Sequence, residues 1–295
     1  MTGAGIRLTS PERMLWPRAQ FTKGRMLDYY RSIAPVLLRH LAGRPVTLYR
    51  APEGVDGPGW YQTECRGAPS WLRTVEVRGE RGAGQRYCVI DDVDGLLWAA
   101  NLGAIEFHPL STTLDRLGEP SVLVFDLDPG EDASILDCGR VALTLRERLA
   151  AVGLTAVAKT SGSAGLHVVA PLAPGAGFRD TKAFARRFAA DLERRTPDLV
   201  VARSVRAERR GRVFVDWVAN DLVRSIVGPY SLRALPWPLV STPVAWDELR
   251  EAVDANAAER LWFMPTAVLD RVERLGDLFA VALGPGGSLP TVDPI

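Results

Sequence analysis

Two aspartates at a spacing of two, Asp126 and Asp128, end the apolar segment SVLVFDLDP over residues 121–129. Side chains alternate between the two faces of a strand, so a strand here directs both carboxylates to the same face. Like charges this close repel, and a hard cation such as Mg²⁺ or Mn²⁺ relieves the repulsion through carboxylate oxygens. The pattern indicates a metal site, although a D-x-D pair at a strand end also occurs as a loop cap or a salt-bridged pair.

A third carboxylate, Asp216, lies near the end of a second apolar strand, RVFVDW over residues 212–217. Three carboxylates can hold two ions, and two ions that clamp the attacking and leaving oxygens are typical of nucleotidyl transfer. The three aspartates therefore predict a two-metal centre. A D-x-D pair also serves glycosyltransferases that bind nucleotide sugars, but that alternative leaves Asp216 without a purpose.

A glycine-rich turn, KTSGSAGLH over residues 159–167, connects two apolar segments. Gly162 and Gly165 allow a tight turn whose backbone N–H groups can point at one anion. The hydroxyls of Ser161 and Ser163 can add to that site. The turn is therefore a candidate for binding a triphosphate.

Two of the three histidines stand at strand ends. His167 begins the strand after the glycine-rich turn, and His108 closes the strand IEFH just before Pro109. A histidine in such a position is either a hydrogen-bonded structural residue or a functional one. Both remain candidates.

The composition limits the class of protein. A chain of 295 residues with 47% hydrophobic content can bury a sizeable core, as one large domain or two lobes. The net charge of +1 gives no global positive field that would indicate nucleic acid. Arginine nonetheless contacts phosphate in a bidentate way. The densest arginine cluster is Arg203, Arg206, Arg209, Arg210 and Arg212.

Cys65, Cys88 and Cys138 lie far apart without a C-x-x-C pair, which predicts reduced thiols rather than a disulfide framework or a zinc site. The first ten residues lack the apolar core of a signal peptide, and no run of about 18 apolar residues could span a bilayer. We expect a cytoplasmic protein, associated with the nucleoid if it binds DNA, without a membrane partner.

Periodicity predicts a mixed α+β fold. The first helix is expected over 22–41, with Thr22 as N-cap and Gly43 just past its end. Further helices are expected near 93–102, 133–152, 179–195, 246–258 and 266–275. Strands are expected over 45–50, 86–90, 105–107, 122–127, 154–159, 166–170 and 212–217. The Gly- and Pro-rich segment 284–295 is expected to be a loose tail.

Several motifs in this order resemble the polymerase domain of bacterial ligase D, a member of the archaeo-eukaryotic primase superfamily. They are DLDPG, KTSGSAGLH, VFVDW, PYSLR and VSTPVAWDEL, preceded by LTSPERMLWP, FTKGRMLDYY, GRPVTLYR and NLGAIEFHP. The resemblance implies a primase-like catalytic core with a central, mainly antiparallel or mixed sheet flanked by helices. It implies a single domain over 1–283, whose segment 1–60 contributes contacts to a DNA 5′-phosphate, and a tail over 284–295.

The resemblance also implies an activity. Such enzymes add NTPs or dNTPs to DNA ends and fill gaps in bacterial non-homologous end joining, with two Mn²⁺ or Mg²⁺ ions. Asp126, Asp128 and Asp216 would be the catalytic metal ligands, and a primer 3′-hydroxyl would attack the nucleotide α-phosphate. The implied partners are DNA ends with a 5′-phosphate, gapped or nicked DNA, and also Ku and a separate DNA ligase.

The resemblance assigns binding residues as well. The implied nucleotide contacts are His108, Ser161, Gly162, Ser163, His167, Arg209 and Arg233. The implied DNA contacts are Arg13 and Lys23 for the 5′-phosphate, and Trp60 and Tyr61 for a template base. Base stacking on such rings contributes about 1–3 kcal/mol and tolerates any sequence.

The chain departs from the family pattern where basic or polar residues are usual. These positions are Tyr49, Thr63, Ala164 and Ala219. Each lost charge weakens binding by about 1–3 kcal/mol where it made a charge-assisted hydrogen bond. A catalytically weak module that binds and bridges DNA ends is therefore an alternative. The intact set of three carboxylates favours an active enzyme.

Overall fold

The computed structural model describes residues 6–79 and 84–290. These residues form six α-helices, each close to a predicted one. They are α1 (Lys23–Leu41), α2 (Val93–Asn101), α3 (Ile135–Ala151), α4 (Phe178–Arg195), α5 (Trp246–Asp254) and α6 (Pro265–Leu275). Within the described ranges, none of these helices has the length and apolar character needed to cross a membrane.

Thirteen strands accompany the helices in the described part of the chain. The early ones are β1 (Met14–Trp16), β2 (Phe21–Thr22), β3 (Pro45–Arg50), β4 (Trp60–Gln62), β5 (Thr74–Val77), β6 (Gln85–Val89) and β7 (Ala104–Pro109). The later ones are β8 (Val122–Pro129), β9 (Val157–Thr160), β10 (Leu166–Pro171), β11 (Val200–Val201), β12 (Val213–Asp216) and β13 (Pro243–Val244). The predicted strand over 154–159 thus begins later, at Val157, and the other predicted strands are found within two residues of their expected ends.

The chain divides into two compact units. The first contains the residues up to Asp115 together with Ser225–Ser241 and Phe263–Gly276. Its five-stranded sheet has the order β4-β3-β6-β5, with β7 also pairing with β3, and all of these pairs are antiparallel. The single domain predicted over 1–283 stays a prediction.

Helix α1 supplies much of the core of the first unit. The Thr22 hydroxyl accepts a hydrogen bond from the Arg25 N–H at 3.3 Å, which confirms the predicted N-cap. Met26, Tyr30 and Ile33 follow at helical spacing and are almost completely buried. The polar residues on the other side of the helix face away from this core.

The second unit contains Arg116–Arg224, Thr242–Trp262 and the residues from Asp277 onward. Its six-stranded sheet has the order β11-β12-β8-β10-β9-β13. Only the pair β11–β12 is parallel. This sheet confirms the predicted mixed, mainly antiparallel core.

Helix α4 covers one face of the second unit's sheet. The ring of Phe188 on α4 lies 5.6 Å from the ring of Phe125 on β8. Because strand side chains alternate, Phe125 faces away from its neighbour Asp126. The helix and the predicted site carboxylates therefore lie on opposite faces of the sheet.

The prediction of three reduced thiols is wrong for two of them. Cys65 and Cys88 form a disulfide, with their Cα atoms 5.1 Å apart, whereas Cys138 is free and buried. The Cys65 N–H donates to the Arg86 carbonyl at 2.6 Å and so holds the loop against β6. Sequence spacing could not reveal this pair, because strand β6 brings the two cysteines together.

The prediction of a loose tail from residue 284 onward is wrong for its first part. Gly287 forms an isolated parallel bridge with Leu172, and its N–H donates to the Pro171 carbonyl at 3.2 Å. The Gly287 carbonyl in turn accepts the Ala173 N–H at 3.0 Å. This part of the tail thus pairs with the residues that follow β10, and residues 291–295 of the predicted tail lie outside the described residues.

Candidate functional site

Four polar side chains form one row across the sheet of the second unit. In the strand registers Asp216 is opposite Asp126, Asp126 is opposite His167, and His167 is opposite Lys159. Directly opposite residues of an antiparallel pair project from the same face. The row therefore crosses β12, β8, β10 and β9 on the face that α4 leaves uncovered.

Asp128 extends this row along β8. It lies two residues beyond Asp126, so both carboxylates project from the same face, as predicted. The Asp128 side chain is exposed, and the Asp126 side chain is 24% exposed. Within residues 6–79 and 84–290, however, no group of three His, Cys, Asp or Glu side chains is arranged so that it could hold a metal ion as it stands. The acids share a face without forming a preassembled metal centre.

Negative charge is crowded around Asp216. Burial and the neighbouring charge of Asp126 raise the pKa of Asp216 above its ordinary value. The Val218 N–H donates to Asp216 Oδ1 at 2.7 Å, and Arg224 and Arg209 act in the opposite direction without cancelling the increase. A bound cation would relieve this crowding.

Asp126 is positioned by two buried polar residues that contact each other in series, His167 and Lys159. His167 Nε2 lies 3.2 Å from Asp126 Oδ1, and Lys159 Nζ lies 2.7 Å from His167 Nδ1. A charged lysine can only donate, so Nδ1 is assigned as the acceptor and Nε2 carries the proton that points at Asp126. Lys159 is completely buried and His167 nearly so. Lys159 therefore fixes the histidine tautomer that faces the carboxylate.

Sequence reasoning did not select Lys159 as a site residue. The signal was present, because Lys159 is one of only three lysines in the chain and stands in an apolar strand. A buried lysine needs a partner, and the partner lies on the next strand. Only the register of β9 with β10 identifies it as His167.

The glycine-rich turn between β9 and β10 is as tight as predicted. Gly162 has a φ of +70°, and the Ser161 N–H donates to the Gly165 carbonyl at 2.9 Å. The N–H groups of Ser163 and Gly165 both donate to the Ser161 hydroxyl oxygen, at 3.1 and 3.2 Å. An anion at this turn would have to compete with the Ser161 hydroxyl for these two donors.

We predict that Gly165→Ala destabilises the second unit. A Cβ at Gly165 would overlap the Leu127 carbonyl oxygen on β8, whereas a Cβ at Gly118 would meet nothing within 4 Å. Overpacking of this kind costs about 1–3 kcal/mol in the free energy of unfolding. Urea unfolding of Gly165→Ala beside the matched control Gly118→Ala measures the loss, and equal stabilities of the two variants would contradict it.

Arg209 lies beside the row, next to β12. Its guanidinium stacks on the Phe214 ring at 3.8 Å, and its Nη2 donates to the Ser204 hydroxyl at 3.0 Å. Gly130, just past the predicted metal ligands, allows the close approach of the Arg209 backbone, because a Cβ there would overlap the Arg209 carbonyl oxygen. Arg209 is thus held near the carboxylates, and its charge acts on Asp216.

A second polar cluster lies in the first unit and is centred on Glu106. His108 Nε2 lies 2.8 Å from Glu106 Oε2, and Arg233 Nε lies 3.2 Å from Glu106 Oε1. The Ala234 N–H also donates to Glu106 Oε1 at 2.8 Å. Glu106 therefore brings together His108 and Arg233, both predicted from the sequence.

Glu106 itself was not predicted as a site residue. The signal was its spacing of two from His108 on β7, which places both side chains on one face of the strand. The same spacing that puts the two aspartates on one face of β8 puts this pair on one face of β7. Both residues are buried, so their contact is a structural centre of the cluster.

We predict that the contribution of Glu106 to stability depends on pH. Burial alone would raise the pKa of Glu106, but the hydrogen bond with His108 and the charge of Arg233 outweigh burial and hold the pKa below its ordinary value of 4.5. The contribution is then complete above pH 4.5 and is lost as the pH falls through the lowered pKa. Glu106→Gln should cost about 3 kcal/mol at neutral pH, with a smaller difference in acid.

Denaturant unfolding of wild type and Glu106→Gln at several pH values tests this expectation. Glu53→Gln, at an exposed carboxylate of the same unit, should change stability by less than about 0.5 kcal/mol. A difference between wild type and Glu106→Gln that is independent of pH would contradict the assignment.

The predicted aromatic pair is exposed at the edge strand β4. Trp60 is 43% exposed and Tyr61 is 60% exposed. The Tyr61 ring lies 5.0 Å from the Tyr49 ring and 5.3 Å from the His108 ring, and the Arg50 guanidinium lies 5.3 Å from the Trp60 ring. Tyr49 thus supports Tyr61 by ring packing. The two exposed rings can stack with a planar ligand.

Arg13 and Lys23 are held close together in the first unit. The Lys23 N–H donates to the Arg13 carbonyl at 2.8 Å, and Lys23 Nζ donates to the Thr9 hydroxyl at 3.2 Å. Burial and the charge of Arg13 lower the pKa of Lys23. Two positively charged side chains that repel each other in this way can bind one anion between them.

The predicted residues divide between the two units. The second unit contains Asp126, Asp128, Asp216, Ser161, Gly162, Ser163, His167 and Arg209. The first unit contains Arg13, Lys23, Trp60, Tyr61, His108 and Arg233.

Comparison with known proteins gives a match over most of the chain. A family described as "LigD, primase-polymerase domain" matches residues 22–279. Among solved structures, the "Polymerase Domain from Mycobacterium tuberculosis Ligase D in complex with DNA" is similar, with a TM-score of 0.87 and 35% sequence identity. The similarity covers 94% of this chain and 98% of that one.

Curated relatives carry the same domain within longer proteins. The multifunctional non-homologous end joining protein LigD of Mycolicibacterium smegmatis is 36% identical over 278 residues, which are 93% of this chain and 36% of the relative. The corresponding DNA repair protein of Mycobacterium tuberculosis strain H37Rv is 38% identical over 283 residues, 92% of this chain and 36% of the relative. The chain therefore spans about a third of the length of these relatives.

Proposed function

Because the chain belongs to the family of LigD primase-polymerase domains, we propose that it adds NTPs or dNTPs to DNA ends and fills gaps in bacterial non-homologous end joining. The family implies an enzyme of the nucleotidyltransferase type that depends on metal ions. The observation that carries the proposal is the row of Asp216, Asp126 and His167 on one face of the sheet. Ku, a separate ligase activity and DNA with a 5′-phosphate are the proposed partners, at the nucleoid.

The carboxylates fit divalent metal ions in donor type and charge. Asp126, Asp128 and Asp216 would hold two Mn²⁺ or Mg²⁺ ions, which prefer such hard oxygen ligands. Burial and, to a smaller extent, the charge of Asp126 raise the pKa of Asp216, and a bound cation would favour its charged form. Bound ions would stabilise the charge that develops when a 3′-hydroxyl attacks the α-phosphate and pyrophosphate leaves.

The residues behind the carboxylates orient them. His167 directs its Nε2 proton at Asp126, and Lys159 keeps His167 in that tautomer. Such supporting contacts fix the direction of a ligand's lone pairs and exclude alternative rotamers. Arg209, stacked on Phe214, adds a positive charge beside the row that suits a phosphate group.

The clusters of the first unit are proposed to bind the nucleotide and the DNA. Arg233 and His108 would contact the nucleotide, and Glu106 would hold both in place. Trp60 and Tyr61 would stack with a template base, because both rings are exposed.

The 5′-phosphate of DNA is proposed to bind at Arg13 and Lys23. Burial and the charge of Arg13 disfavour the charged form of Lys23, and a bound phosphate would offset the repulsion between the two side chains. Arginine also offers a bidentate fork that matches phosphate geometry.

A module that binds and bridges DNA ends without efficient catalysis is the second candidate. Two observations favour it: Ala164 stands in the turn where the family usually has lysine, and the described carboxylates are not preassembled as a metal centre. The glycosyltransferase alternative has no such support, since the family match concerns nucleotide transfer.

Primer extension distinguishes the two candidates. The intact chain is incubated with gapped DNA that carries a 5′-phosphate, with each NTP or dNTP supplied separately, in Mn²⁺ or Mg²⁺. Template-directed extension supports the polymerase. Tight DNA binding without extension in either metal would instead support the end-binding module.

A further inference from the structure

A basic groove runs along α4 in the second unit, with a cavity volume of about 510 Å³. Its surface is formed almost entirely by apolar atoms, although four of the residues that line it carry a positive charge, and Ala183 contributes a small side chain. The positively charged residues that line it are Arg179, Lys182, Arg186 and Arg187. These positions recur at the helical spacing that places them on one side of the helix.

Trp217 forms the other wall of the groove. The Arg186 guanidinium lies 5.4 Å from the Trp217 ring, and the Trp217 Nε1–H donates to the Ala202 carbonyl at 3.0 Å. Lys182 Nζ is paired with Asp221 at 2.5 Å, which offsets one of the four positive charges. The groove keeps a net positive charge and one fixed aromatic wall.

The groove lies on the face of the sheet opposite the carboxylates. Helix α4 packs on Phe125, which points away from Asp126. Trp217 directly follows β12, and its ring contacts Arg186 on α4, which places it on the α4 side of the sheet. Neither the carboxylates nor the glycine-rich turn lines this groove, so the proposed catalytic chemistry does not account for its charge.

The dimensions suit a polyanion better than a small ligand. From Arg179 to Arg187 the helix rises about 12 Å, at about 1.5 Å per residue. Measured along the axis of a duplex, this length corresponds to about three to four phosphates of one strand, at about 3.4 Å each. A row of cations at this spacing binds a phosphate backbone without reading its bases.

We propose that this groove binds the phosphate backbone of DNA outside the catalytic face. The identification of the polyanion as DNA rests on the proposed function. The groove then holds a second stretch of DNA on the back of the sheet, and it contributes affinity that depends on salt and not on sequence.

The test measures the affinity for a fluorescently labelled DNA duplex with a 3′ overhang, by anisotropy at several salt concentrations. The groove variant is Arg179→Gln/Arg186→Gln/Arg187→Gln, at three exposed positions. We expect its affinity to fall at least about tenfold near 0.1 M KCl, and the slope of log K against log[salt] to decrease by about two to three.

The matched control removes the same charge from other surfaces of the same unit. It is Arg146→Gln/Arg250→Gln/Arg260→Gln, in which Arg146 also stacks on a tryptophan, at 5.3 Å from the Trp246 ring. We expect this variant to keep the wild-type salt slope to within about half a unit. Thermal unfolding verifies that both triple variants are folded.

The outcomes separate this proposal from the proposed function. An equal loss of DNA affinity in the groove and control variants, or no loss in either, would overturn the proposal that the groove binds DNA. Loss of poly-L-glutamate binding with unchanged DNA binding would also overturn it, in favour of an acidic protein partner. If the groove variant loses DNA affinity and the wild type extends no primer, the result would support DNA binding in the groove and would contradict the proposed polymerase activity.

Discussion

Asp126→Asn lowers nucleotide incorporation by at least about 10³-fold at saturating DNA and nucleotide, if the carboxylate row holds the catalytic metals. Loss of one metal ligand removes several kcal/mol of transition-state stabilisation, and about 1.4 kcal/mol corresponds to a factor of ten. The asparagine oxygen can still accept the hydrogen bond from His167, so the substitution removes the charge and keeps the shape. Single-turnover primer extension measures the loss.

The same substitution should leave the metal-free protein folded and no less stable. The charge of Asp126 raises the pKa of Asp216, so its removal relieves repulsion in the metal-free state. Asp198→Asn, at an exposed carboxylate of the same unit, is the matched control and should retain wild-type incorporation. An Asp126→Asn enzyme within tenfold of wild type would show that the row is not the metal centre.

Lys159→Met should lower incorporation by about 10- to 100-fold and weaken Mn²⁺ binding by a similar factor, as is typical when the support of a metal ligand is lost. Methionine fills the buried volume without a donor, so His167 Nδ1 loses the partner at 2.7 Å. The ring can then place its proton on either nitrogen, and Asp126 loses a fixed donor. Primer extension and Mn²⁺ titration of the DNA-free protein give the two factors.

A spectroscopic measurement separates this role from a loss of folding. The chain has only three histidines, so ¹⁵N spectra of the imidazole rings can be assigned by substitution. Wild-type His167 should be protonated at Nε2 alone, and Lys159→Met should give a mixture of tautomers. Lys159→Gln, which keeps an N–H donor, should recover part of the activity. A wild-type ring spectrum and wild-type Mn²⁺ affinity in Lys159→Met would refute the role.

Local periodicity was sufficient to predict that Asp126 and Asp128 share a face. The alternation of strand side chains depends only on neighbouring residues, and β8 follows it to Pro129. The N-cap at Thr22 was predictable for the same reason, because the cap and its acceptor site are three residues apart. The family motifs imply roles for residues that no spacing argument could connect.

The contacts between strands could not be predicted in this way. That Asp216 is opposite Asp126, and Lys159 opposite His167, depends on which strands pair and in which register. The disulfide between Cys65 and Cys88 depends on the same long-range arrangement. Lys159 and Glu106 are therefore identified by the structure, although their residue types in apolar strands were visible in the sequence.

Any anion that binds the glycine-rich turn must first displace the Ser161 hydroxyl from the N–H groups that it occupies. Two N–H donors converge on this oxygen, so the turn already holds an internal surrogate for a phosphate oxygen. An isolated inorganic anion exchanges one set of hydrogen bonds for an equivalent set and gains little net free energy. A triphosphate that is anchored elsewhere by metal ions arrives at a high effective concentration and can displace the hydroxyl. The turn would then bind the phosphate group of an anchored nucleotide and would bind free phosphate only weakly.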